Sequence, residues 1–376
     1  MKGAGRVEGL TESVIREMTR KAKKHDAINL SQGYPDFPTD DTVLKAAKDA
    51  IDSGLNQYSI TWGLEELREK VAEKLMDFNK IEYDPEMEVT ITCGASESIM
   101  SSMLGLVDTG EEVLIFQPFY ENYVPAVSMA SGKPIFTTID NDHSLDREDI
   151  KRKVSEETKA IILNTPHNPT GKIFNMEEMK FLRDICIDND VLVFTDEMYE
   201  RIIFEGEHIS MASLDDMWER TVTIGGFSKV YSMTGWRVGY SAAPEDLMKP
   251  IRKAHDYTTV CSPTPFQKAG VTALDLPEDY YENMLEYYRK ARDFTYDKLK
   301  RSRLEPYLPD GAYYMMASID DYDMDDKEFA DHLVKEKGVA VVPGTSFYND
   351  GGEDLVRFCF SQDISDLEEA MRRLLE

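Results

Sequence analysis

Short apolar runs, most of them rich in β-branched residues, recur through the middle of the chain, and polar or small residues end each run. Their length suits a β-strand and is short for a helix. We predict seven central strands, EVTIT (88–92), EEVLIF (111–116), KPIFTTI (133–139), AIILN (160–164), VLVFTD (191–196), TVTIGG (221–226) and RVGYSA (237–242).

Amphipathic stretches fill several of the gaps. SESIMSSMLGLV (96–107) and NMEEMKFLRDICID (175–188) carry apolar residues at intervals of three and four, which predicts helices. The alternation favours an α/β fold, with a mostly parallel central sheet between helices on both faces. Ligands of such folds gather where strand ends lead into helices, so chemistry is expected there.

The carboxyl-terminal part has a different pattern, typical of a smaller α+β domain. A long charged helix is predicted first, and three strands separated by helical stretches follow it; the ranges are 280–301, 311–319, 338–344 and 355–361. The predicted organisation is an amino-terminal segment that packs with the small domain (1–42), a large domain (43–283) and the small domain itself (284–376).

The composition is that of an acidic globular protein. Hydrophobic residues make up 41% of 376 residues, enough for a sizeable core. The chain has 71 Asp and Glu against 43 Lys and Arg, a formal net charge of −28. Because this charge repels phosphate backbones, we expect no nucleic-acid partner.

Two further features bear on location. No apolar run approaches the roughly 18 residues of a membrane span, and the amino terminus lacks the apolar core of a secretion signal. We therefore expect no membrane partner and a cytoplasmic protein. The cysteines have no CxxC spacing, so neither a disulfide framework nor a zinc site is predicted; they are Cys93, Cys186, Cys261 and Cys359.

Two cations, Lys229 and Arg237, stand close together in GGFSKVYSMTGWRVGY (225–240), with no acidic residue between them. A lysine in a Gly-rich loop has little room to reach solvent, and a nearby cation lowers the pKa of its ammonium. The free amine can then attack a carbonyl, as a Schiff-base lysine does. Arg237 stays charged and offers donors matched to phosphate or carboxylate.

Polar residues also stand at the ends of other predicted strands. Asp196 ends VLVFTD, where a carboxylate is costly unless it meets a cation or a donor, and Tyr199 lies on the same face of the next turn. AIILN leads into NTPHNPTG (164–171), which leaves Asn164 and Asn168 at the edge of the sheet. Each motif alone is also typical of a plain turn or helix cap.

Taken together, these residues predict a site for pyridoxal 5′-phosphate. Lys229 would carry the aldehyde, and Asp196 would keep the ring nitrogen protonated so that the ring withdraws electrons. Asn168 and Tyr199 would bond the phenolic oxygen. The phosphate would be bound by Arg237 and by backbone N–H groups at the start of a helix, at Gly94, Ala95 and Ser96.

The chain resembles class I/II aminotransferases of fold type I over nearly its whole length. The resemblance is carried by seven blocks in order, NLSQGYPDF (29–37), NQYSITWGLEELRE (56–69), PFYENY (118–123), NTPHNPTG (164–171), TDEMY (195–199), FSKVYSMTGWRVGY (227–240) and LVRFCFS (355–361). It implies a homodimer with shared active sites. Within the family, the chain is similar to the branch of kynurenine, glutamine and methionine aminotransferases, archaeal aromatic aminotransferases and enzymes labelled aspartate aminotransferases.

The resemblance implies further roles. Tyr120 would stack on the cofactor ring, and Tyr58 would reach the phosphate in the neighbouring subunit. Gly33 would approach the substrate carboxylate through its backbone. Arg357 and Asn168 would bind that carboxylate. Lys229 would move the α-proton in a ping-pong exchange between an L-amino acid and an oxo acid such as 2-oxoglutarate.

One position departs from the family pattern. A hydroxyl residue often stands three positions before the lysine and contacts the phosphate, but Gly226 is found here. Ser228, directly before Lys229, is a candidate to replace it. We therefore expect a somewhat weaker hold on the phosphate.

Two alternatives use the same cofactor, namely a β-lyase that breaks C–S bonds and a regulator whose aminotransferase-like domain senses a ligand. Such regulators carry a DNA-binding domain before the cofactor domain, whereas the family blocks here start by residue 29. Two other classes do not match. A serine acyl-enzyme of the SxxK type lacks its serine, because Gly226 stands there, and the six histidines show no HExxH spacing for a metal.

Overall fold

The computed structural model describes residues 3–7, 10 and 12–376. These residues form thirteen β-strands, which are β1 (Ile28–Asn29), β2 (Val89–Thr92), β3 (Glu112–Gln117), β4 (Lys133–Thr138), β5 (Thr158–Asn164), β6 (Leu192–Asp196), β7 (Thr221–Gly226), β8 (Gly239–Ala242), β9 (Glu305–Pro306), β10 (Tyr314–Ser318), β11 (Val339–Ala340), β12 (Val342–Pro343) and β13 (Leu355–Cys359).

The same residues form twelve α-helices, which are α1 (Val14–His25), α2 (Asp41–Asp52), α3 (Glu65–Lys74), α4 (Ala95–Leu106), α5 (Tyr123–Met129), α6 (Arg147–Lys153), α7 (Met176–Asp188), α8 (Glu245–Thr258), α9 (Thr264–Leu274), α10 (Glu278–Leu299), α11 (Asp326–His332) and α12 (Ile364–Leu375). Short 3₁₀ segments lie at 5–7, 211–213, 218–220, 234–236 and 344–347, and π-helical turns extend α3 over 75–79 and α11 over 333–337. None of the helices within the described ranges has the length and apolar character needed to cross a lipid bilayer.

A seven-stranded sheet forms the centre, in the order β2-β8-β7-β6-β5-β3-β4. Strand β8 runs antiparallel to both of its neighbours, and the other neighbouring pairs are parallel. The predicted α/β fold with a mostly parallel sheet is confirmed. All seven predicted strands are present, and their ends lie within two residues of the prediction.

Strand β3 shows why these apolar runs have to be covered on both faces. Its residues Val113 and Ile115 belong to one buried cluster with residues of α4 and α8. The alternate residues, Leu114 and Phe116, belong to another cluster with residues of α7. Successive side chains of a strand point to opposite faces, so a continuous apolar run needs a layer of helices on each side.

A four-stranded antiparallel sheet, in the order β12-β13-β10-β9, lies in the carboxyl-terminal part together with α10, α11 and α12. The amino-terminal segment packs against this part, since β1 pairs in parallel with β11. Ile15 of α1 is buried with Met316, Val342, Phe347 and Leu355. The segment that precedes the large sheet therefore shares a core with the end of the chain.

Two predicted strands differ from the structure for local reasons. Strand β8 begins at Gly239 and not at Arg237, because Arg237 has a left-handed backbone (φ 55°) after the 3₁₀ turn. The single strand predicted over 338–344 is divided into β11 and β12. These two pieces pair with different partners, β1 and β13, so the chain has to change direction between them.

Candidate active site

Lys229 lies three residues beyond the end of β7, and its side chain lines a cavity of about 330 Å³. Its Nζ donates a hydrogen bond of 2.6 Å to the backbone oxygen of Gly33. Burial lowers the pKa of the Lys229 ammonium to about 8, and the positive charges of Arg357 and Arg237 act in the same direction. The lowered pKa was predicted from a neighbouring cation, whereas burial is its largest cause.

Asp196 ends β6 and is buried on the wall of the same cavity. Its Oδ2 accepts a hydrogen bond of 2.8 Å from the hydroxyl of Tyr123, and its Oδ1 accepts one of 3.3 Å from the backbone N–H of Met198. Burial raises the pKa of the Asp196 carboxyl, although both donors oppose that change. The bond from Tyr123 was not predicted, because nothing local in the sequence joins positions 123 and 196.

The asparagines after β5 are ordered by the register of the sheet. Asn164 is paired with Asp196 across β5 and β6. Its side-chain nitrogen donates a hydrogen bond of 2.8 Å to the backbone oxygen of Asp196, and its side-chain oxygen accepts one of 2.7 Å from the N–H of Asn168. Asn164 therefore orders the loop after β5, and both asparagines line the cavity.

A group of donors lies at the start of α4. Gly94 precedes the helix with φ 76°, and the first N–H groups of an α-helix, here those of Ala95 and Ser96, have no partner within the helix. The guanidinium of Arg237 lies beside them and donates to the backbone oxygens of Thr234 (2.9 Å) and Cys93 (3.3 Å). A Cβ at position 94 would lie 2.5 Å from Nη2 of Arg237, so this approach requires glycine.

Position 226 has little room for the hydroxyl residue that relatives often carry. A Cβ built on Gly226 would lie 3.1 Å from Cα of Gly239 and 3.2 Å from Sδ of Met198. Ser228 is buried and lines the cavity. The departure from the family pattern thus coincides with a crowded strand end.

Arg357 of β13 is fully buried, and it has no carboxylate within ion-pair distance among the residues that the structure describes. Its Nη1 donates to Oδ1 of Asn168 at 2.9 Å, and its Nη2 donates to the backbone oxygen of Ser31 at 2.8 Å. Its Nε has no hydrogen-bond partner. A buried guanidinium without an anion is costly, so this geometry calls for an anionic ligand.

Tyr314 links this arginine to the centre of the cavity. Its ring lies 4.2 Å from Cζ of Arg357, and its hydroxyl lies 2.8 Å from the hydroxyl of Tyr199. A Cβ on Gly33 would lie only 1.9 Å from the same hydroxyl. Tyr314 was not among the predicted site residues. It lies in β10, in a different sheet from the strand that precedes Lys229, so no local pattern relates the two positions.

The structure brings most of the predicted site residues to one cavity: Gly33, Ala95, Ser96, Tyr120, Asn168, Asp196, Tyr199, Ser228, Lys229, Arg237 and Arg357. Gly94 lies directly beside it, against Arg237. Tyr58 does not line the cavity of its own chain, and 80% of its surface is exposed.

The residues of the cavity fit pyridoxal phosphate. Within the described part of the chain, Lys229, Arg237 and Arg357 have no carboxylate at ion-pair distance, although all three line one cavity. The buried Asp196 carboxylate has hydroxyl and N–H donors but no cation bonded to it. A ligand with a phosphate, an aldehyde and a basic ring nitrogen complements this set.

A second buried charged cluster lies behind Asp196, formed by Glu197, Glu200 and His208, whose ligand atoms lie within 4.8 Å of one another. Their oxygens are already engaged. Asn79 donates to both carboxylates at 2.9 Å, and Lys74 forms an ion pair with Glu200. We interpret this cluster as structural support under the strand end.

Comparison with known proteins agrees with the geometry. The family model "Aminotransferase class I and II" matches residues 25–374. An aspartate aminotransferase from Pyrococcus abyssi is 38% identical, over 100% of this chain and 97% of that protein. An aromatic-amino-acid aminotransferase 2 from Thermococcus litoralis is 36% identical, over 98% of this chain and 96% of that protein.

The fold is also that of a solved aminotransferase. The structure of N-succinyldiaminopimelate aminotransferase from Mycobacterium tuberculosis matches this chain with a TM-score of 0.97 and 34% sequence identity. The match covers 100% of this chain and 99% of that chain. These findings favour amino-group transfer over the β-lyase and regulator alternatives. The chain belongs to the class I and II aminotransferases, and it is a pyridoxal-phosphate-dependent amino-acid aminotransferase.

Proposed function

We propose that Lys229, Asp196 and Arg237 hold the three ends of pyridoxal phosphate, namely its aldehyde, its ring nitrogen and its phosphate. The support is that these side chains line one cavity without protein ion-pair partners in the described ranges. The other proposed cofactor contacts are those of Tyr120, Asn168, Tyr199, Ser228, Gly94, Ala95 and Ser96.

The bound cofactor supplies an aldehyde for the amino group and a ring that withdraws electrons from the α-carbon. Lys229 moves the α-proton, because its pKa of about 8 leaves a useful fraction of neutral amine near neutral pH. Asp196, buried and oriented by Tyr123, keeps a proton on the ring nitrogen. Tyr120, also on the cavity wall, would pack against the ring of the bound cofactor.

The substrate carboxylate is bound by Arg357 and Asn168, with the backbone of Gly33 beside them. The observation that carries this assignment is the buried Arg357 guanidinium, which has a free Nε and no anionic partner among the described residues. The substrates are thereby an L-amino acid and a 2-oxo acid, each of which has one carboxylate next to the reacting carbon.

We also propose a homodimer in which Tyr58 reaches the active site of the other subunit. An apolar surface patch supports this proposal, with Tyr58 80%, Ile60 51% and Tyr257 90% exposed. The two segments of the patch are joined, since Nε2 of His255, two residues before Tyr257, donates to the backbone oxygen of Thr61, next to Ile60, at 2.7 Å. A patch of this kind is typical of a protein interface.

Complementation tests the shared site. A Lys229→Ala chain and a Tyr58→Ala chain are each expected to be nearly inactive. After unfolding and refolding together, mixed dimers regain activity, because one of their two sites has both residues. If the refolded mixture is no more active than the separate variants, the proposal that Tyr58 completes the active site of the other subunit is contradicted.

For the domains we propose the boundaries 1–42, 43–283 and 284–376. The pairing of β1 with β11 and the burial of Ile15 among carboxyl-terminal residues support an amino-terminal segment that belongs with the small domain. We further infer a cytoplasmic location, because all four cysteines are free thiols, as in a reducing compartment.

The half-reaction tests the proposed chemistry. The cofactor-loaded protein is mixed with single amino acids without an oxo acid, and the visible absorbance is followed. We expect loss of the yellow colour with substrates, restored by 2-oxoglutarate, and no change in Lys229→Ala. Lys45→Ala, on the exposed face of α2, is the matched control. Release of pyruvate and ammonia from cystathionine, without bleaching, would instead indicate β-elimination.

A further inference from the structure

His255 of α8 is a fully buried histidine that the proposed chemistry does not use. Its Nδ1 lies 3.1 Å from both carboxylate oxygens of Glu97, and its Nε2 lies 2.7 Å from the backbone oxygen of Thr61. A neutral imidazole has one N–H and one lone pair, so one nitrogen would face an acceptor with no proton between them. Each of the two contacts therefore needs a proton. With both protons present, His255 and Glu97 together carry no net charge.

The charges around the ring favour the protonated state. Burial by itself would lower the pKa of the His255 imidazolium, but the hydrogen bond and the charge of Glu97 outweigh burial, and Asp256 acts in the same direction. The pKa is therefore raised above its ordinary value of 6.5. The guanidinium of Arg252, one turn earlier, is bonded to β2 and to the turn before it. No lysine or arginine of the described chain lies at ion-pair distance from Glu97, so His255 is the cation that compensates this carboxylate.

Glu97 lies beside the proposed phosphate site. It is the third residue of α4, directly after Ala95 and Ser96. Its Oε2 accepts a hydrogen bond of 3.1 Å from the backbone N–H of Cys93, and the backbone oxygen of Cys93 accepts one of 3.3 Å from Nη2 of Arg237. A single residue thus joins the carboxylate to the guanidinium proposed for the phosphate. An uncompensated carboxylate at this place would repel a phosphate dianion.

We propose that His255 is a positioning residue for the cofactor phosphate, because its proton cancels the charge of Glu97 and so lets the start of α4 accept a dianion. The inference rests on the proposed function, in which Arg237 and the start of α4 hold the phosphate. When the proton is lost, a negative charge remains beside the phosphate. The affinity for the phosphate group is therefore expected to fall as the pH rises through the pKa of His255.

The second contact of the ring keeps it in place during this change. The N–H at Nε2 can donate to Thr61 whether the ring is charged or neutral, so only the proton at Nδ1 has to leave. Thr61 follows Tyr58 by three residues, in the segment proposed to reach the other subunit. A pH effect on phosphate affinity then reports the charge of the pair, since the bond to this segment is kept.

Binding of two cofactor amines, one with and one without a phosphate, tests this role. Pyridoxamine phosphate and pyridoxamine share one ring and carry no aldehyde, so the ratio of their dissociation constants isolates the phosphate. The parent protein is cofactor-free Lys229→Ala, because Lys229 would otherwise titrate near pH 8 in the same range. The phosphate remains a dianion well above about pH 6.

We expect the contribution of the phosphate to affinity to fall roughly tenfold as the pH rises above 6.5, the effect of one uncompensated carboxylate several ångströms away. Fluorescence titration of both amines across this range is the measurement.

Variants of the pair separate charge from structure. Glu97→Gln keeps an oxygen for the N–H of Cys93 and offers a donor to a neutral His255, so we expect the parent affinity at pH 7 and no pH step. His255→Gln leaves Glu97 uncompensated, and we expect the roughly tenfold loss already at pH 7. The double variant Glu97→Gln/His255→Gln is expected to recover the affinity.

Asp256→Asn is the matched control, since it also removes one acidic charge near His255 but leaves the hydrogen-bonded pair intact. We expect the pH step to persist in this variant, with its midpoint at a lower pH, because Asp256 contributes to the raised pKa of His255.

A pH step of the same size in the parent and in Glu97→Gln would overturn the role of His255, and so would the absence of a step in the parent. Equal losses of phosphate affinity in Glu97→Gln and His255→Gln at pH 7 would overturn it as well, since they would indicate a purely structural contact. If His255→Gln does not fold, the pH profile of Glu97→Gln decides alone. Equal dissociation constants of the two amines in the parent at pH 7 would instead overturn the proposed phosphate site, and this inference with it.

Discussion

The amine of Lys229 donates a hydrogen bond of 2.6 Å to the backbone oxygen of Gly33, 196 residues away in the chain. The bond connects the loop after β7 to the amino-terminal segment. Gly33 also lies against Tyr314, whose ring lies over Arg357. One glycine therefore contacts Lys229, proposed to bind the cofactor aldehyde, and Tyr314, which packs against the arginine proposed to bind the substrate carboxylate.

Replacement of Gly33 by alanine is expected to damage the site by overpacking. The added Cβ would lie 1.9 Å from the hydroxyl oxygen of Tyr314 and 2.7 Å from its Cζ, so the ring has to move. We expect a loss of about 1–3 kcal/mol in the free energy of unfolding, measured with urea, and weaker binding of carboxylates. Gly235→Ala is the control, because its Cβ would meet no atom within 4 Å.

Partial recovery of stability in the double variant Gly33→Ala/Tyr314→Phe would support this account, since Tyr314→Phe removes the hydroxyl oxygen, which is the atom closest to the added Cβ. Equal stability of Gly33→Ala and Gly235→Ala would contradict it.

The lowered pKa of Lys229 predicts a pH dependence of stability in the ligand-free protein. Its pKa is about 8 when folded, against an ordinary value of 10.5. Between these values the unfolded chain binds more protons, so the contribution of Lys229 to the free energy of unfolding rises with pH. Well below pH 8 Lys229 is protonated in the folded protein as well, so the full cost of burying its ammonium lowers the free energy of unfolding.

We therefore expect Lys229→Met to be more stable than the ligand-free wild type at pH 7, by up to about 3 kcal/mol. The difference shrinks as the pH rises from about 8 to 10.5. Urea unfolding of both proteins across this range is the measurement. A difference that stays constant over the range would show that the lysine titrates normally.

Two substitutions separate the roles of Tyr314. Tyr314→Phe removes the hydroxyl that lies 2.8 Å from Tyr199 but keeps the ring over Arg357, whereas Tyr314→Ala removes both. We expect KM for amino acids to change little in Tyr314→Phe and to rise roughly tenfold in Tyr314→Ala, since a desolvated cation–π contact is lost. Equal KM values in the two variants would assign the effect to the hydroxyl.

Ser228 is expected to replace the phosphate-binding hydroxyl missing at position 226. Because Ser228 is buried on the cavity wall, Ser228→Ala should raise the dissociation constant of the cofactor roughly tenfold, as expected for one hydrogen bond to a charged group. Ser232→Ala is the control, since that hydroxyl donates to the oxygen of Phe37. The amount of cofactor that each variant releases during dialysis is measured by absorbance, and the two variants are compared. Equal release from both variants would exclude this role of Ser228.

Much of the fold and part of the site are predictable from the chain alone because their causes are local. Apolar runs covered on both faces determine a buried sheet, as β3 shows with Val113 and Leu114 in opposite clusters. The same logic locates Asp196 and Lys229, since a strand of the parallel sheet that ends in a polar residue presents it at the ligand edge.

Contacts between distant segments were decided by the tertiary structure. The bond from Tyr123 to Asp196 and the stacking of Tyr314 on Arg357 join residues that no local pattern relates. The same is true of Arg16, which lines the cavity although its sequence context is that of an ordinary amphipathic helix.

The sequence by itself determined which chemical groups stand at the strand ends, and with them the cofactor class, because periodicity and turn residues act over a few positions. It did not determine what surrounds those groups. Burial, which is the largest cause of the low Lys229 pKa, and the lack of an anion beside Arg357 in the described structure arise only when separate segments pack together. Packing is non-local, so the finer properties of the site belong to the tertiary structure.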